Sequence, residues 1–236
     1  MKIFVTLFSS LFILSSCEYS DVKHRGNGNF ETQIVKTEDF SKLKIEGGYE
    51  ITLEAGNEPQ VIVHADENLI EYIYAEVRGS WLVIGNEESI HSPDGIAITV
   101  VYNELSKIEI EGACAIKTTE TLISDDFGID MGGAGAIDMD LEVDDLLINI
   151  SGAGAVKLAG EARFMEVNLS GAGGLSAYDL IVERCKLNIS GVGGAEVYVE
   201  EELDASVSGL GGISYRGDPH VNRSEISGIG KISRAD

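Results

Sequence analysis

The hexapeptide NISGAG (149–154) returns as NLSGAG (168–173) and as NISGVG (188–193). Aligned on the glycine of the SG pair, the series widens to seven copies: IEGACAI at Gly112, MGGAGAI at Gly133, ISGAGAV at Gly152, LSGAGGL at Gly171, ISGVGGA at Gly191, VSGLGGI at Gly209 and ISGIGKI at Gly228. The spacings are 21, 19, 19, 20, 18 and 19 residues. A fixed period of this length marks a repeat architecture. A unit so short cannot bury an apolar face alone and must stack on its neighbours.

Upstream of each glycine the pattern alternates with period two. Ile148 and Ile150, Val167 and Leu169, Leu187 and Ile189, and Ala205 and Val207 fall on one face; Asn149 and Ser151, Asn168 and Ser170, Asn188 and Ser190, and Ser206 and Ser208 fall on the other. That is the pattern of a half-buried strand. A second short apolar piece follows the glycines, then an acidic or polar turn, and no stretch has the spacing of a crossover helix. The reading is an all-β fold in which residues 105–236 form a parallel β-solenoid of 19–20-residue coils, with equivalent residues about 4.8 Å apart along the rod. Gly133, Gly152, Gly171, Gly191, Gly209 and Gly228 are expected in a column at one corner. There glycine permits the positive φ of a tight bend and the close approach of the next coil. The outward Asn149, Asn168 and Asn188 are expected to hydrogen-bond to one another along the rod, with contact to a ligand such as a glycan as the alternative.

Residues 33–104 carry the repeat only weakly, although KIEGGYEI (44–51) echoes it. Phe40, Leu43 and Ile45, then Tyr49, Ile51 and Leu53, then Val61 to Val63, and finally Trp81 to Ile84 read as strands, with turns at Gly47-Gly48 and at Gly56 to Pro59. Strand hairpins or wider coils here would cap the solenoid, continuous with it as one domain, and protect its end from edge-to-edge association.

The formal charge is -23, a surface that repels phosphate backbones and excludes nucleic acid as a partner. The opening MKIFVTLFSSLFILSSC has one basic residue, Lys2, then an apolar run too short for a permanent membrane span, which reads as a signal peptide over 1–16. Leu14-Ser15-Ser16-Cys17 resembles the bacterial lipobox, which implies a lipid attached to Cys17. Acyl chains would then hold the domain at a membrane, each buried methylene contributing about 0.8 kcal/mol. Residues 17–32 are polar and aperiodic and are expected to form a flexible tether. Of the remaining thiols, Cys114 and Cys185 fall about four coils apart, nearly 20 Å at the stacking distance and beyond the roughly 7 Å limit of a disulfide.

FSKLKIEGGYEITLEAG (40–56), ENLIEYIYAEVRGSWLVIGN (67–86), YNELSKIEIEGACAI (102–116), the SGxG series and YRGDP (215–219) together resemble the bacterial family of auto-transporter adhesins with a head GIN domain, common among Bacteroidetes lipoproteins. The resemblance runs over residues 35–233 in the family's block order. It implies a right-handed, mostly parallel β-helix-like fold and an envelope location, with adhesion as the function the name attaches. The Gly112 copy departs from the SG pattern with Glu111-Gly112-Ala113-Cys114.

Few residues point to chemistry. GGAGAIDMD (132–140) resembles the Gly-Asp repeats that bind Ca²⁺, but those are nine-residue units in tandem, and Asp138 and Asp140 occur once. The glycines precede strands, not a phosphate-binding helix. His24, His64, His91 and His220 lack metal-ligand spacing. Asp125-Asp126, Asp144-Asp145 and Glu200 to Glu202 recur near coil ends and predict an acidic row, with no Lys or Arg read beside it. No catalytic residue, cofactor or metal is expected. The leading expectation is a lipid-anchored envelope protein, most simply at the outer membrane, that binds a glycan or protein without catalysis. The alternatives are a polysaccharide-active enzyme using the acidic row, and a purely structural envelope protein.

Overall fold

The computed structural model describes residues 22–235; residues 1–16, read above as a signal peptide, and Cys17 lie outside them. After β1 (His24–Arg25) and β2 (Phe30–Lys36) come β3 (Lys42–Ile45), β4 (Glu50–Ala55) and β5 (Gln60–Asp66). A 3-10 turn, Ile70–Tyr72, precedes β6 (Ile73–Arg78), β7 (Trp81–Asn86), β8 (Ile90–His91) and β9 (Ala97–Tyr102). The rest is almost unbroken strand: β10 (Lys107–Ile110), β11 (Ala113–Thr118), β12 (Leu122–Met131), β13 (Ala134–Ile150), β14 (Ala153–Leu169), β15 (Ala172–Ile189), β16 (Val192–Val207), β17 (Leu210–Arg216), β18 (His220–Ile226) and β19 (Ile229–Arg234).

Each of β13 to β16 travels round a whole coil and pairs in parallel with the next. The register is the one the repeat dictates: Ile148 opposite Val167, then Leu187, then Ala205. These four are fully buried, as are Ile150, Leu169, Ile189 and Val207 two positions on, to within 1 %. Each fully buried Leu or Ile contributes about 1.5–3 kcal/mol, so stacking the columns supplies what no single coil could. Three walls result. Wall one carries the residues that lead into the corner glycine, wall two those that follow it, and wall three (142–144, 161–163 and their equivalents) closes the coil.

The N-terminal region is part of the same stack, in an order the sequence does not follow. β3 lies between β7 and β10, and β4 lies between β9 and β11, all parallel. The coil formed by 42–55 is therefore sandwiched between 81–102 and 107–118. Beyond 81–102 the strands turn antiparallel: β6 on β7, β5 on β9 and β2 on β5. These hairpins close that end of the core.

The tether expected over 17–32 gives way, in its described part, to ordered chain. β1 pairs with β8, and the Gly28 amide donates to Asp66 Oδ1 at 2.6 Å. Asp66 is 1 % exposed, and its other oxygen accepts from Ser92 Oγ at 2.6 Å. Asn27 and Asn29 both donate to Glu67. Polar residues without periodicity gave no sign of this, because the partners lie some 40 to 66 positions away.

The glycine column exists for one of the two expected reasons. A Cβ on Gly152 would overlap the carbonyl oxygen of Gly133; Gly112, Gly133, Gly171, Gly191, Gly209 and Gly228 each stand in the same relation to the glycine one coil earlier, beginning with Gly47. The same carbonyls bond the coils together: Gly133 O accepts from Ala153 N at 3.0 Å and Gly152 O from Ala172 N at 2.9 Å. The expected left-handed bend is absent, since none of these seven is among the described glycines with positive φ. Close approach alone excludes a side chain. A second column, Gly135, Gly154, Gly173, Gly193, Gly211 and Gly230, is excluded from carrying one by the same contact with the coil before.

Two outcomes follow from these contacts. Gly152→Ala should cost about 2–3 kcal/mol or more, because the obstruction is backbone rather than a mobile side chain. Gly174→Ala should change stability by less than about 0.5 kcal/mol, since its Cβ would meet only Gly194 O at 3.7 Å. Urea midpoints of the two variants check this; equal losses would show that close approach is not the constraint. For Asp66, the Ser92 hydroxyl, opposed by burial and helped by the Gly28 amide, holds the carboxyl below its ordinary 3.8. A depressed folded-state value means the stabilisation is complete above the unfolded value and is lost as pH falls through the folded one. Asp66→Ala should therefore cost about 1–3 kcal/mol at neutral pH. Thermal unfolding should show the gap between variant and wild type narrowing below the ordinary carboxylate range.

Candidate functional site

Wall one carries a continuous polar ladder. Lys107 Nζ lies 2.5 Å from Asp130 Oδ2, Asn149 Nδ2 donates to Asp130 Oδ1 at 2.7 Å, Asn168 to Asn149 at 3.1 Å and Asn188 to Asn168 at 3.0 Å. Burial raises the Asp130 carboxyl, but the Lys107 ammonium and the Asn149 amide outweigh it, so the group stays below its ordinary range. On the neighbouring coil Lys44 meets Glu111 at 2.9 Å, Glu109 at 3.2 Å and Glu46 at 3.4 Å. Glu111 above all, against the cost of burial, holds that ammonium above its ordinary value. The amide nitrogens of all three asparagines and the amide oxygens of Asn149 and Asn168 find partners along the rod, so the ladder ties coil to coil.

Wall three holds the candidate site. Ile123, Glu142, Glu161 and Ile181 occupy one column, two glutamates between two isoleucines. Ile123 is 73 % and Ile181 42 % exposed. With Asp125, Asp144, Arg163, Glu183 and Glu200 they line an open groove of about 450 Å³. The acidic doublets do not act as pairs. The coil turns between their members, so Asp125 and Asp144 line this groove while Asp126 and Asp145 face wall one beside Phe164 and Leu147. Nor is the row free of basic residues, contrary to the expectation from sequence. Arg163 stands in it with Nε 2.7 Å from Asp144 Oδ1, and Arg184 follows Asp145 and Phe164 on the other side of the corner. Like charges on adjacent strands destabilise a sheet, and Arg163 relieves that repulsion at the rung where the carboxylates are densest.

Wall two is smooth. Its outward positions after the corner glycine hold Ala113, Ala134, Ala153 and Ala172, then Val192, Leu210 and Ile229, the last three 55 %, 50 % and 78 % exposed. Asp138, the candidate calcium ligand, lies opposite Lys157 at 3.2 Å, an ammonium where a cation-binding repeat would repeat the carboxylate. The histidines are scattered: His24 stacks on Tyr72 and reaches Glu88 at 2.9 Å, and His64 stacks on Phe30. Cys114 and Cys185 are free and buried, and burial pushes the Cys114 thiol up to about 11. Cys17 lies outside the described residues.

A family model described as "Putative auto-transporter adhesin, head GIN domain" matches residues 39–219. The chain belongs to this family. Solved structures give this head GIN domain protein the same fold at low identity. A putative adhesin from Bacteroides fragilis superposes with a TM-score of 0.83 at 23 % identity, over 89 % of this chain and 99 % of that one. A putative lipid binding protein from Parabacteroides distasonis gives 0.73 at 24 %, over 91 % and 100 %. A putative adhesin from Parabacteroides merdae gives 0.69 at 20 %, over 90 % and 99 %. No curated protein matches the chain.

In this head GIN domain protein, the residues that reading by sequence missed are Arg163, Ile123 and Ile181. Their identities were legible, but their shared wall depends on where each coil turns. For the ladder, Asn168→Ala removes the donor to Asn149 and the acceptor of Asn188, and should cost about 1–2 kcal/mol. Ser170→Ala, at an exposed outward position beside it, should change stability by less than about 0.5 kcal/mol. Chemical denaturation of the pair checks the claim, and matching losses would remove the ladder's structural role.

Proposed function

We propose that this protein is held at a bacterial envelope membrane through a lipid on Cys17 and acts there by binding, as an adhesin-like scaffold without catalysis, with the wall-three groove as its contact surface. The observation that carries the reading is the groove's composition. Exposed Ile123 and Ile181 flank Glu142 and Glu161 on a rigid sheet, an arrangement suited to an extended partner with apolar and basic groups. Exposed apolar groups rimmed by charge mark interaction sites. The family description supports an adhesin-like role and an envelope setting.

A second reading has one observation in its favour. Arg163 beside Asp144 supplies the basic group that a polysaccharide-active enzyme would need next to its carboxylates. The two readings separate in a paired experiment. The chain with Cys17→Ser, displayed against protein and glycan arrays, should bind at least one class, and Ile123→Ser with Ile181→Ser should weaken that binding at least tenfold. Binding untouched by the double variant would remove the groove from the reading, and silence across the arrays would remove adhesion and leave a structural role. Release of reducing ends or unsaturated sugars from envelope polysaccharides, abolished by Asp144→Asn, would establish the enzyme instead. Protease treatment of whole cells should digest the domain if it is displayed at the surface.

A further inference from the structure

The ends of the rod are chemically unlike, and at each the outermost strand of wall two keeps one free edge. On wall two a single sheet runs the whole length, from β2 through β5, β9, β4 and β11 to β13–β17 and finally β19. Among the described residues β2 pairs only with β5, and β19 only with β17. Each therefore presents a row of unpaired backbone amides and carbonyls, the kind of edge that takes another strand.

Apolar exposure gathers toward the same two ends, with Phe30, Ile34 and Ile229 on the edge strands themselves. Phe30 and Ile34 on β2 are 42 % and 59 % exposed; at the far end Val192, Leu210, Ile226 and Ile229 are 47–78 % exposed. Together they are six of the ten exposed large apolar side chains of the described residues. On the β2 strand Phe30 and Ile34 belong to the outward phase, because the alternate residues Gln33 and Val35 lie opposite the buried Val63 and Val61. Ile229 belongs to the outward phase of β19, in the column of Leu210 and Val192.

Charge distinguishes one end from the other. Residues 210–235 hold four basic side chains, Arg216, Arg223, Lys231 and Arg234, against two acidic ones, Asp218 and Glu225. Residues 22–104 hold six basic against fifteen acidic. Two like ends brought together would repel, whereas unlike ends attract.

We propose that the protein associates head to tail with further copies of itself, the β2 edge of one copy lying against the β19 edge of the next. Translation along the rod sets these strands parallel, as coil follows coil within the chain, because β2 and β9 share one direction through β5. The outward row Val192, Leu210 and Ile229 then continues into Phe30 and Ile34 of the next copy. Such a contact joins two different surfaces, so it does not close on itself and permits open-ended assembly.

The experiment uses the chain with Cys17→Ser, so that lipid does not aggregate it, in sedimentation velocity across a concentration series. Species beyond the dimer should grow with concentration and diminish as salt screens the opposite ends. Ile34→Lys on one edge and Ile229→Lys on the other are both at exposed sites, and circular dichroism should show the fold kept. Each variant alone should weaken self-association at least tenfold. Mixed, they should form a discrete heterodimer, since each retains one intact end. A monomer at every concentration and salt would overturn the proposal. So would association that survives either substitution, or a dimer lost through only one of them, which would mean that like ends pair.

Discussion

Everything in this fold hangs on how closely one coil may approach the next at the corner after the serine. The glycine carbonyl of each coil points along the rod into the space a Cβ would fill, and accepts the amide of the residue after the next glycine. The hydrogen bond and the missing side chain are one requirement seen from two sides. Because it recurs at Gly47, Gly112, Gly133, Gly152, Gly171, Gly191, Gly209 and Gly228, it fixes the register of all the walls at once. A slip by one residue would turn every buried Ile and Val outward and every Asn inward.

Stacking carries an electrostatic cost that this sequence meets rung by rung. Equivalent residues sit about 4.8 Å apart, so an acidic repeat copied faithfully would pile carboxylate on carboxylate. The repeats are not copied faithfully at those positions. Lys44 gathers three glutamates, Lys107 meets Asp130, Lys157 meets Asp138, Arg163 meets Asp144 and Lys186 meets Glu166. Most of these pairs are half exposed, where an ion pair contributes about 1 kcal/mol or less. Their value lies in relieving repulsion within a continuous sheet, which explains why so few basic residues suffice for so acidic a rod. Where the charge is left unrelieved, as between Glu142 and Glu161, it belongs to the outward face of the groove.

The coil, its period and its buried columns were legible because they are local: alternation over four residues and a motif every 19 or so. The strands of the cap were legible too, with turns at Gly47-Gly48 and at Gly56 to Pro59 where β3, β4 and β5 are separated. Their order was not, because placing 42–55 between 81–102 and 107–118 depends on pairings across some 40 to 65 residues. The second glycine column was present in the same SGxG motif. It is less plain in the sequence because Cys114 holds that position in the first copy, so the column of glycines begins only at Gly135. Arg163 was readable as a residue but not as Asp144's partner, since a register across 19 positions and the place of the corner are both needed.

The split of the acidic doublets bears most on what the rod can do. Successive residues of a straight strand face opposite ways, so doublets such as Asp125-Asp126 and Asp144-Asp145 can turn both carboxylates outward only where the chain bends. A corner between them sends their side chains to different walls, so neither doublet shares a substrate. What remains on each wall is a column of single side chains at a constant rise, open along its length. The spacing of such a column matches that of an extended chain laid along the rungs. The same stacking that makes the rod rigid thus fixes the rise at which every wall presents its side chains.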